Sequence, residues 1–192
     1  EMIDGHISNL ARALRTNNSE RAAFEAAWMA HAITDGLTPA HHFPLEQAMA
    51  ELRGGEGLET RTSILKKNLM KGENGIELIK NNWKFWGAKG MMTTHVAFEA
   101  GVASVVAYPR FKDAIPSNDE ILQVKNHGYR EYYLSQVHAV TSMKMYDNFS
   151  KSGWTTDLAW QTNHELMPII IKSVMLGWLA SIWKLEAEKS ES

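Results

Sequence analysis

Five residues in two segments carry side chains that divalent metals accept: His31, Asp35 and His41 in WMAHAITDGLTPAHHF, and His95 and Glu99 in TTHVAFEAG. A histidine and a carboxylate four residues apart on a helix project from one face, so His31 with Asp35, and His95 with Glu99, can each close on one ion. Imidazole and carboxylate are ligands that zinc accepts, and three protein ligands leave a position open for water. Both pairs sit among small or apolar residues, Ala26, Ala27, Ala30 and Ala32 around the first, Val96, Ala97, Ala100 and Gly101 around the second. An unpartnered carboxylate is costly to bury there, and a metal would satisfy it. One such pair alone is equally well a surface pair or a capped core histidine; two together point to a metal centre.

The complete pattern is His31-x3-Asp35-x3-Pro39-x-His41 followed by His95-x3-Glu99. It resembles the signature of the zinc-dependent phospholipase C family and its nuclease relatives, with every position present. The resemblance implies an all-α, single-domain, multi-helix bundle of the phospholipase C type that holds one to three Zn2+ ions. In it His31 and Asp35 help hold a close metal pair, with Asp35 as bridging carboxylate and catalytic residue, while His41, His95 and Glu99 hold a further ion. The implied reaction is hydrolysis of a phosphate ester, phospholipid or other phosphodiester, by a zinc-activated water. Pro39 would fix the turn that swings His41 back toward the helix of His31.

Two departures accompany the match. In the family the metal pair also takes an amino-terminal tryptophan, a histidine soon after it, and an Asp and a His some way upstream of the His-x3-Asp helix; only thirty residues precede His31 here. Asp4 and His6 are the nearby replacements, though their spacing does not match and His6 reads as a polar surface residue. Either the chain is a fragment or its site is reduced. The fifty-three residues between His41 and His95 are longer than in compact relatives, so an insertion is expected at about 43–92. Two other classes stay in view: a non-catalytic helical binding or membrane-associated module with a degenerate site, and a single structural metal that staples the bundle.

The elements that must position these residues are helical nearly throughout. Ile3, Ile7, Leu10, Ala11 and Leu14 recur at helix spacing, and Asn17, Asn18 and Ser19 stop that helix and cap the next, which delivers His31 and Asp35 near its end. Further helices are expected at 45–52, 60–70 and 76–85, then from the His95–Glu99 segment to Ala107, from a Ser117 cap to about Lys125, and from Gly128 to about Phe149. No β alternation of useful length occurs. The run from Leu166 to Trp183 approaches the length of a membrane span, but Pro168, Gly177 and Lys172 interrupt it, and it reads as a core helix apolar all round.

The segment LIKNNWKFWGAKG places Trp83 and Trp86 at helical spacing with Lys80, Lys84 and Lys89 around them. That mixture suits lipid headgroups, phosphates or stacked bases, so membrane-surface contact through 80–89 is expected, with Trp83, Lys84 and Trp86 as a wall of the substrate cleft; the alternative is a helix packing its aromatics on the bundle. His42 is an alternative to His41, and His138 reads as a core histidine. His127 reads as a helix terminus, and His164 with Glu165 is adjacent rather than four apart. Forty-four per cent apolar content over 192 residues supports one domain with a sizeable core. A net charge of −2 offers no general attraction to nucleic acid or anionic lipid and excludes neither. With no cysteine, any metal must be held by His and carboxylates. No signal peptide is visible at the amino terminus, and compartment and oligomeric state stay open.

Overall fold

The first turn of the fold follows from three polar residues. Asn17 takes the left-handed conformation (φ 52°), and the Asn18 side chain accepts the backbone N–H of Arg21. Short polar side chains tolerate that geometry and satisfy a helix's orphan donors. Helix α1 (Met2–Arg15) therefore ends there and α2 (Ser19–Gly36) packs back along it. In this computed structural model, which describes residues 2–112 and 114–190, no strand occurs among the described residues; the fold is all-α and multi-helical.

After α2, a 3-10 turn (Pro39–His42) leads into α3 (Leu45–Leu52), α4 (Ile64–Asn68), α5 (Gly75–Trp86) and α6 (Met91–Val106). Then come α7 (Asn118–His127), α8 (Tyr129–Ser142), α9 (Met145–Ser152), α10 (Thr156–Gln161) and α11 (Met167–Ser190). Ser117 and Glu120 form a reciprocal capping box at the start of α7. The main core gathers Met29, Ile33 and Leu37 from the α2 region, Phe98 from α6, Tyr132 from α8 and Leu176 from α11. Helix α11 packs against α1, α2, α7 and α8 and so organises the bundle.

Three expectations are corrected. The helix expected from Gly128 to Phe149 breaks at Lys144, whose left-handed backbone (φ 51°) lets α9 turn Met145, Tyr146 and Phe149 into the core; neither Gly nor Pro announces that break. The helix expected over 60–70 shrinks to Ile64–Asn68. Pro168 does not interrupt the last helical run, because a π turn over Thr162–Leu166 precedes it and Met167 N–H bonds to Thr162 O, five residues back. A π turn absorbs the register change that proline's missing donor demands. Thr156–Ala187 is long and apolar enough to cross a bilayer by length and composition. It is not buried all round: Leu176, Ser173 and Ser181 face inward, while Met175, Trp178 and Ile182 reach solvent.

Residues 43–92 form a helical lobe with a small cluster of its own, Met49, Met70 and Phe85 joined by Leu45, Leu52, Met91 and Met92. So little apolar burial needs polar help. The buried Arg53 guanidinium donates to the carbonyls of Lys66 and Leu69. The Asn82 side chain accepts from Met70 N–H and donates to Met70 O, and Asn81 donates to Leu52 O and Lys71 O. These bonds pin the loops between α3 and α5 in place of a larger core.

One buried carboxylate ties α1 to α2. Glu25 is fully buried between His6 and Arg21, so His6 is a packing partner and not the surface residue its position suggests. Burial opposes ionisation of Glu25, but hydrogen bonds and charge from His6 and Arg21 outweigh it and hold the carboxyl below its ordinary range. A depressed carboxyl contributes stability that is present above its ordinary range and is lost as pH falls toward its folded value. Urea denaturation should therefore show falling stability below about pH 5. His6→Ala should cost about 2 kcal/mol at pH 7 by stripping a partner from a buried charge; a change below about 0.5 kcal/mol, ordinary for a surface site, would contradict this role.

Candidate metal centre

His31 and Asp35 occupy the last turns of α2, one above the other, with His31 Nε2 3.2 Å from Asp35 Oδ2. Gly36 ends the helix, and buried Pro39 opens the 3-10 turn, where His41 N–H bonds to Thr38 O. This tight reversal brings the His41 ring between two carboxylates: its Nδ1 lies 3.8 Å from Asp35 Oδ1 and its Nε2 3.0 Å from Glu99 Oε1. From α6, His95 Nε2 stands 3.1 Å from the same Glu99 oxygen. The His41 and His95 rings stack, 5.3 Å between centroids and 5° from parallel. All five residues thus form one continuous chain, His31, Asp35, His41, Glu99, His95.

Within that chain His41, His95 and Glu99 offer ligand atoms that all lie within 4.8 Å of one another. Ligands 2.0–2.1 Å from a tetrahedral zinc stand about 3.3 Å apart, close to the two nitrogen–oxygen separations here. Two imidazoles and one carboxylate therefore fit a divalent ion, and this trio is the grouping that the resemblance assigns to its further ion.

The small residues around the second pair have a steric cause. A Cβ on Gly101 would meet the Trp154 indole at 1.7 Å. Trp154 stacks on Phe98, which is fully buried between His95 and Glu99 along α6 and also meets Tyr146 and Phe149 edge-on. The aromatic cluster fixes the rotation of α6, and with it the direction of both ligands. Apolar surroundings do not bury the carboxylates, however. Asp35 and Glu99 side chains keep 45% and 42% of their accessibility, and Asp35 lines an open cleft; the burial cost expected from sequence is not what holds the site.

That cleft, about 540 Å³, is lined by His31, Asp35 and His41 on one side and by Trp28, Arg130 and Tyr133 among others. Its walls come from α1, α2 and α8, and residues 43–92 contribute none of them. Of the residues expected to wall a substrate cleft, Trp83 and Lys84 line a separate cavity with Glu51 and Leu52 of α3, and Trp86 lines neither. For Tyr133 the sequence offers only the four-residue spacing of Tyr129 and Tyr133 in YREYY. A Cβ on Gly36 would lie 2.0 Å from the Tyr133 hydroxyl, so only glycine admits that ring beside Asp35. Burial first, and the Asp35 charge second, push the Tyr133 hydroxyl above its ordinary range, which keeps it a proton donor at neutral pH.

The other histidines separate cleanly. His42 donates from Nε2 to Gly36 O and has the Thr141 hydroxyl 3.1 Å from Nδ1, so both ring nitrogens are engaged and His41 is the residue facing the cluster. His138 is exposed rather than a core residue. His127 ends α7, and His164 stacks on Trp160. Asp4 lines the same cleft as His31 and Asp35. No protein-family model, curated protein or solved structure matches this chain.

Proposed function

We propose that this protein is a metal-dependent phosphoesterase, similar in chemistry to the zinc-dependent phospholipase C family, with His31, Asp35, His41, His95 and Glu99 as metal ligands. The observation that carries the reading is the convergence of His41, His95 and Glu99, from segments fifty-three residues apart, with His41 also lining the open cleft that contains His31 and Asp35. Openness favours an enzyme over a staple: structural zinc sites are closed by four protein ligands, whereas a catalytic site keeps a position for water.

Zinc held by these residues would supply Lewis-acid stabilisation of the phosphoryl oxygens and a water acidic enough to attack phosphorus near neutral pH. The protein's own groups do the rest. Asp35, with one oxygen 3.2 Å from His31 Nε2 and the other 3.8 Å from His41 Nδ1, orients the His31 ring and accepts a proton from an attacking water in the cleft. Arg130, exposed on the cleft wall, balances the charge of a phosphoryl group. The Tyr133 hydroxyl donates toward the ester oxygen from beside Asp35. Trp28 and Leu134 give the remainder of the cleft an apolar surface for the esterified group.

Elemental analysis of the purified chain, combined with hydrolysis of bis(p-nitrophenyl) phosphate and p-nitrophenyl phosphorylcholine, tests the reading. Two or three zincs with turnover sustain it. One zinc without turnover identifies a structural site, and no metal identifies a degenerate module. Arg130→Gln should raise KM about tenfold with kcat nearly unchanged, the signature of a group that holds substrate and transition state alike; an unchanged KM would remove Arg130 from the site.

A further inference from the structure

Helix α5 is amphipathic in the wrong sense for a folded protein. Ile76, Ile79, Trp83 and Trp86 follow one another at spacings of three, four and three, which places them on one face. They are 83%, 68%, 71% and 44% exposed. The opposite face is the one that packs: Phe85 is buried in the small cluster, and Asn81 and Asn82 bond to the loops of the lobe. The helix is thus fully anchored, and its apolar stripe is left over. A neighbouring segment extends that stripe. The Trp86 indole N–H donates to Asn68 O at the end of α4, where Ile64 and Leu65 are 82% and 73% exposed.

Charge surrounds the same face. Of the basic residues near it, Arg61 is buried and pairs with Glu46, and Lys71 pairs with Glu56, which leaves Lys66 and Lys67 on α4 and Lys80 and Lys84 on α5. Lys80 and Lys84 fall beside the Ile76–Trp83 stripe by helical geometry, and neither they nor Lys66 and Lys67 have an ion-pair partner among the described residues. An apolar stripe with tryptophans, flanked by lysines, has the composition of a helix that lies in the interface of a bilayer, apolar side toward the acyl chains and ammonium groups at the headgroups. A second copy of this chain is a poorer occupant, because a two-fold contact would set the same cations against each other.

We propose that the exposed face of α5, extended by Ile64 and Leu65 of α4, docks the protein on an anionic lipid surface. The proposal goes beyond the hydrolytic reading and does not depend on it, since its readout is partitioning and not turnover.

The test is co-sedimentation of the full chain with vesicles of phosphatidylcholine alone and of phosphatidylcholine with 30% phosphatidylglycerol. Wild type is expected to partition to the anionic vesicles at 0.1 M NaCl and to lose more than tenfold at 0.5 M NaCl or on neutral vesicles. Each lysine at such a surface is worth about fivefold, so Lys80→Glu with Lys84→Glu should weaken partitioning at least about 25-fold. Ile79→Ser with Trp83→Ser should weaken it more than tenfold with an unchanged melting temperature, because neither side chain is in the core. Trp178→Ser with Ile182→Ser, on the exposed stripe of α11, should leave it intact. The proposal is overturned by absence of partitioning, by equal partitioning to neutral vesicles, by insensitivity to both α5 variants, or by equal loss in the α11 variant. A wild-type dimer that Ile79→Ser with Trp83→Ser converts to monomer would assign the face to a second copy instead.

Discussion

Glu99→Ala is expected to lower hydrolysis of bis(p-nitrophenyl) phosphate by about a thousandfold and to remove about one equivalent of zinc. The size follows from the position of one oxygen. Glu99 Oε1 lies 3.0 Å from His41 Nε2 and 3.1 Å from His95 Nε2, so its loss unties the two histidines from each other. Groups that merely orient metal ligands are worth ten- to a hundredfold, and a ligand exceeds them. Chelation carries the same logic into stability: a metal held at the junction of α6 with the turn after α2 would be coupled to folding, so excess chelator should lower the melting temperature of wild type and leave Glu99→Ala nearly unmoved. Zinc content and a melting curve that both survive the substitution would remove Glu99 from the site.

Phe98→Ala should produce the largest loss of stability among core substitutions near the site, about 3–5 kcal/mol in urea denaturation, as expected for a buried phenylalanine that leaves a cavity. Phe98 is fully buried and meets Tyr146, Phe149 and Trp154 with centroids 5.5 Å away in each case. It also sits one residue from Glu99 and three from His95, so the cavity loosens the helix that aims both ligands. Metal affinity should fall along with stability even though no ligand has changed. A cost below about 1 kcal/mol would mean that the aromatic cluster is not what fixes α6.

Much of the architecture was legible because it depends on local chemistry. Asn17 and Asn18, the Ser117 cap and the periodic stripe of α1 each specify their element within a few residues, and the structure has all three. The grouping of His41 with His95 and Glu99 was legible for another reason: spacing on a helix, plus a proline-set turn, leaves few ways for the side chains to point. What escaped the sequence depends on distant partners. The break at Lys144 follows from burying Met145, Tyr146 and Phe149, not from a breaker residue. The role of Tyr133 depends on a glycine ninety-seven positions earlier that leaves room for its hydroxyl. The Trp and Lys mixture of 80–89 suits a cleft wall, but α5 packs its asparagines and Phe85 inward and leaves the tryptophans on its outer face. Hydrophobic spacing reveals that a helix has a face without revealing whether that face meets protein or water.

The lobe over 43–92 keeps its own apolar cluster and its own polar clamps, while the main core draws on the helices before and after it. Regions with few buried apolar contacts open at lower free energy than the body they join. Amide exchange should accordingly divide the chain into two classes, with the lobe protons exchanging first and α2 and α11 protecting longest. The same separation matters on the timescale of evolution. Substitutions in the lobe can alter its outer face at little thermodynamic cost to the histidine–carboxylate cluster, so the surface it presents and the chemistry beside it are free to diverge under different selective pressures.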